Sequence, residues 1–587
     1  MANPYKSVFN VMARYKWRYA GGVLALIVTD LFLQVLPRVT GTFFDDLKAG
    51  VLTESGIWAR LGTILGAAAI VAVSRFLWRF FVFGTARYVE QDLRSALFAH
   101  LERLSASFFH HHKTGDLMAM ATNDLQAVRG VAGEGILMTT DALFMTLFTL
   151  GAMINSLGWR FSVIVLAPMP LLALFSGIFG KVIHHRYRAV QDAFGDLSDV
   201  VQENIQGIRV VKAFGQEAAQ EERFDQANVT YMQRFVRMIR LDGLWEPMIG
   251  LLAGASYVLA LLFPGRAVLR GEIPLGSFVS LTMYIGMLIW PMLAMGWVVS
   301  LIQRGLASFK RIREVLETEP EVADPPEPVL PASGEIQGLI EFRNLTFTYG
   351  GKNRPALERI SVTTQPGETL GILGRTGSGK STLVSLLARV FNPPRGSIFI
   401  DGIDVLDLPL NLLRSKIAFV PQESFLFSRT VGENIAFAPG DWTMEDVRQA
   451  AQTAQVEQDI LEFLPHGYET MVGERGVTLS GGQRQRVGLS RAVLKNAPIL
   501  VLDDCLSAVD TNTESRILNG LRPVMAGRTT IIISHRVAAV KAADRIIVLE
   551  NGRIVESGTH EELLALEGRY FRTYQRQQLE EAIANAE

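Results

Sequence analysis

Six stretches of about twenty mostly apolar residues, all before residue 305, constrain this chain more than any other feature of it. They run near 19 to 38, 57 to 83, 132 to 155, 159 to 182, 244 to 266 and 274 to 303. A bilayer core about 30 Å thick takes about 20 helical residues to cross, because each residue advances about 1.5 Å. Buried helices of a soluble protein would explain one such stretch but not six in one half of a chain. This half is therefore expected to be an all-α transmembrane domain of six helices. Composition agrees: of 587 residues, 49% are hydrophobic and only 20% charged, and the mean hydropathy of +0.22 excludes a disordered or fibrous chain. One cysteine cannot close an internal disulfide, and no Cys/His cluster has zinc spacing.

The net charge of −1 conceals a division. Residues 1 to 318 carry 30 Lys and Arg against 24 Asp and Glu, and the remainder carries 27 against 34. Nucleic acid is not an expected partner, since its binding requires clustered positive charge, whereas membrane lipids are. The first 18 residues hold Lys6, Arg14, Lys16 and Arg18 with no acid, and no small-residue cleavage site follows promptly, so the N-terminus is expected on the cytoplasmic side. Six spans then leave 84 to 131 and 183 to 243 cytoplasmic, and the second segment is rich in Arg, including Arg186, Arg188, Arg209, Arg223, Arg234, Arg237 and Arg240. Both segments read as helices that continue beyond the bilayer and turn near Lys113–Asp116 and Gly207–Val211. Compact size and the lack of a transit peptide point to a bacterial plasma membrane. Asp30, Arg75, Arg79, Asp141 and Glu246 fall at membrane depth, where charge is costly, so interhelical pairs or a watery cavity are expected around them.

The sixth span continues as a charged helix to Glu317, after which Pro320, Pro325, Pro326, Pro328 and Pro331 end regular structure. The expected division is a transmembrane domain at 1 to 317, a linker at 318 to 336, a soluble α/β domain at 337 to 575 and a tail at 576 to 587. Apolar runs at Thr369–Leu373, Ile398–Ile400, Ile499–Leu502 and Thr530–Ser534 supply its strands, alternating with helical patterns.

Gly374-Arg375-Thr376-Gly377-Ser378-Gly379-Lys380-Ser381 follows an expected strand and precedes a helix expected over Thr382–Arg389, the context of a P-loop. Its glycines let backbone N–H groups converge on phosphates, and the helix N-terminus adds positive potential. Lys380 neutralises charge and Ser381 can ligate Mg²⁺. ATP and Mg²⁺ are thus the expected cofactors, with Thr382 completing the loop. Ile499-Leu500-Val501-Leu502-Asp503-Asp504 ends a buried strand in two acids, and Asp503 can hold Mg²⁺ through water. Between these motifs, Leu479-Ser480-Gly481-Gly482-Gln483 opens a second helix in glycines, expected over Arg484–Leu494. One nucleotide does not need two such helix starts.

With a P-loop and an LSGGQ segment on one chain, the sequence resembles the ATP-binding cassette (ABC) exporters, type IV half-transporters, over essentially its whole length. The resemblance implies that two nucleotide-binding domains pair head to tail, each ATP lying between one P-loop and the partner's Ser480–Gln483 equivalent. It also implies that Tyr349 stacks on adenine, that Gln422 senses Mg²⁺ and the attacking water, and that His535 contacts the γ-phosphate. Asp510 would lie in a loop crossing the dimer interface, and Glu474-Arg475-Gly476 would touch the turns of the membrane domain.

One residue departs from the family pattern. Asp504 stands where a glutamate usually polarises the attacking water, and its carboxylate is one methylene shorter, a retraction of about 1.5 Å that can cost about a hundredfold in rate. The expected enzyme is an ABC-type ATP hydrolase whose own site is slow, paired with a second, non-identical half-transporter carrying Glu at that position. The expected function is ATP-driven export or flipping of amphipathic drugs or lipids by alternating access, with hydrophobic or amphipathic cargo. A dedicated peptide or lipid translocator and a nucleotide-gated regulator that moves nothing are the alternatives.

Overall fold

The computed structural model describes residues 7–331, 334–351, 353–473, 479–507, 509 and 511–584. They form two compact units, Met1–Glu102 with His112–Thr318, and Arg103–His111 with Glu319–Glu587. The first unit holds six long helical spans: α1 Lys16–Ala49, α2 Glu54–Leu101, α3 Thr114–Leu157, α4 Trp159–Gln206, α5 Glu217–Leu269 and α6 Leu275–Leu316. Each is long and apolar enough to cross a membrane. At about 1.5 Å per residue, the 48 residues of α2 reach about 72 Å, more than twice a hydrocarbon core.

The spans bend where backbone chemistry requires it. α1 is interrupted at Gln34, three residues before Pro37. α3 carries two π-helical turns, Met120–Asp124 and Val131–Gly135. α6 continues through Pro291 to the charged residues that the sequence assigns to it. The first connecting element is a short helix at Ala106–His111, before the expected turn at Lys113–Asp116, because Thr114 already begins α3. The second is Ile208–Phe214, where a turn is expected.

Outward-facing apolar side chains such as Leu65 (70% exposed), Phe76 (68%) and Val163 (62%) are what lipid covers at little cost and water does not. Inside, Met153, Leu172, Leu281, Ile285 and Leu288 share one apolar cluster. α1 and α6 approach until their backbones touch. A Cβ on Gly276 would sit 1.8 Å from the Gly41 carbonyl oxygen. There the Gly276 N–H donates to Asp45 Oδ1 at 2.6 Å, and Ser280 Oγ donates to the Pro37 carbonyl at 2.8 Å. Toward the other end, Glu90 on α2 accepts from Arg87, Arg94 and Arg129, and Asp124 on α3 accepts from Ser308 and Arg311 on α6. Of the ionisable residues expected at membrane depth, Asp30 is fully buried, with Asp141 on α3 and Arg75 on α2 as its charged neighbours. Arg79 and Glu246 are exposed.

The second unit carries ten strands: β1 Ile340–Phe347, β2 Leu357–Thr364, β3 Thr369–Gly374, β4 Ile398–Ile400, β5 Ile403–Asp404, β6 Ile417–Val420, β7 Ile499–Asp503, β8 Thr529–Ser534, β9 Arg545–Glu550 and β10 Arg553–Gly558. An antiparallel sheet runs β2-β1-β4-β5, and a six-stranded sheet runs β10-β9-β3-β8-β7-β6. In the latter β9, β3, β8, β7 and β6 are parallel, and β7 and β8 carry unbroken Ile/Leu/Val runs, Ile499–Leu502 and Ile531–Ile533, because both faces are covered. Helix α7 spans Lys380–Leu387, two residues earlier than expected. It ends before Arg389, whose φ of 48° leaves the helical region. α8 spans Gly481–Lys495 and α9 Thr511–Met525. Of the residues expected as a tail, 576–584 lie in helix α10, Arg569–Ala584.

Gly276→Leu is expected to lower the unfolding temperature of the purified protein by about 5 °C or more, since a side chain there separates two touching backbones. Gly62→Leu on α2, where nothing lies within 4 Å, is the control and leaves it unchanged in a thermal melt.

Candidate nucleotide site

Strand β3 delivers the chain into the loop Gly374–Gly379, and α7 leaves it. Gly379 must be glycine twice over: its φ is +101°, and a Cβ would lie 2.6 Å from the Ala356 carbonyl oxygen. Lys380 Nζ donates to the carbonyls of Gly374 and Arg375 at 2.8 and 3.0 Å, which folds the ammonium over the loop. Burial pulls that ammonium below the usual lysine range, opposed by the charges of Asp504 and Asp503. Ser381 Oγ donates to Asp503 Oδ1 at 3.0 Å. Burial pushes the Asp503 carboxyl up, and the Ser381 hydrogen bond works against that shift. A hydroxyl and a carboxylate side by side are the hard oxygen donors that a divalent cation such as Mg²⁺ accepts.

Asp504 follows β7 with φ 45°, a region Asp tolerates better than most residues. Its carboxylate oxygens lie 3.0 and 3.1 Å from His535 Nδ1, which follows β8. Tyr349 O–H donates to Thr382 Oγ1 at 3.0 Å, and its ring meets Phe347 and Phe391 edge-on. The backbone carbonyl of Gln422, just beyond β6, accepts from Gln485 Nε2 at 3.4 Å, and the same amide donates to Ser507 Oγ at 3.1 Å.

The glycine-rich start of α8 is a separate structure. Ser480 Oγ accepts from the Gln483 N–H at 3.2 Å, while Gln483 Oε1 accepts from the Ser480 N–H at 2.9 Å, a capping box. Gln483 Nε2 turns to Asp459 at 3.2 Å. Among the described residues no hydrogen bond joins Ser480, Gly481, Gly482 or Gln483 to Lys380, Asp503, Asp504 or His535. Asp510, Glu474, Arg475 and Gly476 lie outside the described residues.

Sequence comparison agrees with this geometry. Residues 20–292 match the family described as the ABC transporter transmembrane region, and residues 357–507 match the family described as ABC transporter. A probable multidrug resistance ABC transporter ATP-binding/permease protein of Bacillus subtilis (strain 168), YheI, is 41% identical, covering 97% of this chain and 98% of its own. The multidrug resistance-like ATP-binding protein MdlA of Escherichia coli (strain K12) is 40% identical, covering 98% and 96%. This chain belongs to the ABC exporter half-transporters.

A solved bacterial Atm1-family ABC exporter with ATP bound superposes with a TM-score of 0.78 at 28% identity, covering 95% of this chain and 99% of the other. The exporter chain is accordingly a multi-pass membrane protein whose soluble unit binds ATP. Three residues of the site go unmarked in its sequence. Gln485 lies within a helix and carries no motif. Glu514 becomes relevant only because Arg536 pairs with it. Gln577 reaches the site from a helix that begins thirty-four residues after His535. Cys505, directly after the two acids, is buried, and burial pushes its thiol up to about 12.

Two outcomes are expected from this geometry. Lys380→Ala removes charge-assisted donors, so ATP affinity at this P-loop should fall by about tenfold to a hundredfold, read by nucleotide binding to the purified transporter. Cys505 should stay unlabelled by a thiol reagent at pH 8 in the native protein and react fully after denaturation, since the thiolate fraction is about one in ten thousand.

Proposed function

We propose that this exporter chain is the slow-site subunit of a heterodimer that uses ATP to export or flip amphipathic drugs or lipids across a bacterial plasma membrane. Its division would be a transmembrane domain at 1–317, a linker, and a cytoplasmic nucleotide-binding domain. Its relatives named for multidrug resistance support the cargo class. So does an ATP-dependent lipid A-core flippase of Aromatoleum aromaticum (strain DSM 19018 / LMG 30748 / EbN1), 38% identical over 98% of this chain and 96% of its own. Large polarisable side chains on the spans, with Trp290, Met295 and Trp297 exposed, supply an adaptable apolar surface.

In this reading the residues of Gly374–Thr382 cradle the phosphates, Tyr349 stacks on the base, and Lys380 holds the β- and γ-phosphates. Ser381, Asp503 and Gln422 would hold Mg²⁺, which when bound neutralises phosphate charge. His535 contacts the γ-phosphate. Ser480, Gly481, Gly482 and Gln483, with Asp510, serve the ATP on the partner's P-loop. The observation that carries the slow-site reading is Asp504. Its shorter side chain places both oxygens against the His535 ring, which favours an acid engaged by histidine over one reaching a water in line with the γ-phosphate. The partner would carry Glu at the matching position and perform most of the hydrolysis.

Asp504→Asn should therefore lower steady-state ATP turnover of the assembled transporter less than about threefold, while Glu→Gln at the partner's matching position lowers it more than about a hundredfold. Equal losses, or a fast homodimer of this chain alone, would refute the asymmetry. Ser480→Arg, which leaves this chain's P-loop intact, should suppress that turnover as strongly as the partner's change. Undiminished ATPase and transport would remove the cross-dimer role of Ser480.

A further inference from the structure

The segment carrying His535 is held from outside its own sheet. Gln577, on α10, presents its side-chain amide edge-on to the backbone there. Nε2 donates to the His535 carbonyl at 2.8 Å, and Oε1 accepts from the Val537 N–H at 2.8 Å. One carboxamide thus satisfies an acceptor and a donor two residues apart, as a neighbouring strand would. Between them Arg536 pairs with the buried carboxylate of Glu514, and its N–H donates to Ser534 Oγ at 3.0 Å.

α10 is itself anchored independently of this contact. Tyr570 is fully buried, and its O–H lies 2.6 Å from His560 Nδ1. Glu556 on β10 accepts from the N–H groups of Arg569 and Tyr570, and Arg569 pairs with Glu550 on β9 at 3.4 Å. Gln577 stands seven residues further on, about 10.5 Å along a helix whose start is fixed. The same helix forms one wall of a cavity of about 1160 Å³ whose lining includes Gly374–Ser378 and His535.

We propose that Gln577 is a positioning residue for ATP turnover at this chain's own site. By fixing the backbone on both sides of Arg536, α10 sets the placement of the His535 ring that a γ-phosphate contact requires. The C-terminal helix thereby acts on hydrolysis through the backbone at His535. The inference rests on the reading of His535 as the γ-phosphate contact. Releasing the two hydrogen bonds frees the loop while leaving the P-loop untouched, so kcat falls and the KM for ATP does not.

The test is single-turnover ATP cleavage by the full-length assembled transporter, in which the slow phase reports this chain's site, with a thermal melt of each variant. Gln577→Ala should slow that phase about tenfold, with KM within about twofold and the unfolding temperature within about 4 °C. Gln577→Glu supplies a readout that a packing role would not move. Its ionised carboxylate accepts from Val537 but opposes the His535 carbonyl, so it should match Gln577→Ala at pH 8. Relative to wild type it should then recover as the pH falls and the protonated acid donates again. His535→Ala separates the two layers of the reading. If it leaves the slow phase unchanged, the role assigned to His535 is wrong. If it slows that phase while both Gln577 variants cleave at wild-type rate, the positioning role alone is overturned. A rate loss that tracks the melting temperature, with no recovery of the Glu variant at low pH, also overturns it.

Discussion

The parallel register of β3, β8 and β7 is the constraint on which the soluble unit depends. Leu373 pairs with Ser534, and Asp503 pairs with Ile533, so the three strands end at nearly one level. Their C-terminal ends therefore deliver three segments to one edge of the sheet: the phosphate loop after β3, His535 after β8 and Asp504 after β7. Slipping one strand by a residue would turn its side chains to the opposite face. Full burial of Leu370, Ile372, Val501 and Ile531 on one face and of Leu500 and Ile546 on the other makes such a slip costly. The apolar interior thus aligns the polar site.

That alignment brings charge into a partly buried place. Lys380 contributes one positive charge against two carboxylates, Asp503 and Asp504. Each negative group is engaged, Asp503 by the Ser381 hydroxyl and Asp504 by the His535 ring. Two carboxylates and a hydroxyl beside a phosphate-binding loop are the oxygen donors that would suit a divalent ion, were one bound with ATP. The membrane unit engages its acids differently. Glu90 gathers three arginines, and Asp124 has both Ser308 and Arg311.

Much of this is legible in the sequence itself. Six spans are implied by apolar run length, and β3, β4, β7 and β8 by short apolar runs bounded by breakers, because those signals come from burial and are local. Lys380, Ser381 and Asp503 meet as their order along the chain implies. Geometry set by tertiary packing is not legible there. The helix after the phosphate loop begins at Lys380 because Gly379 takes the left-handed turn itself. The short helix at Ala106–His111 has too few residues for periodicity to register. α10 beyond residue 575 escapes a sequence reading since Arg, Gln and Glu around Gln577 look like a solvated tail, and only the fold brings that face to the loop at His535.

Within one chain, the parts assigned to different ATP molecules are mechanically joined. Ser480 caps α8, whose first turn holds Gly481–Gln483, and Gln485, the fifth residue of the same helix, bridges the Gln422 carbonyl and the Ser507 hydroxyl. In the proposed reading Gln422 and Asp504 serve this chain's own nucleotide, whereas Ser480 serves the partner's. A rigid helix cannot move at its N-terminus without carrying Gln485, because both lie in its first two turns. Any displacement of the Ser480–Gln483 segment is therefore transmitted to the loop at Gln422 and to the turn after Asp504. The linkage does not depend on the length of the side chain at position 504. Under the proposed slow-site reading, this linkage lets the chain report its own bound nucleotide to the partner's site, which would give such a site a function in a coupled pair.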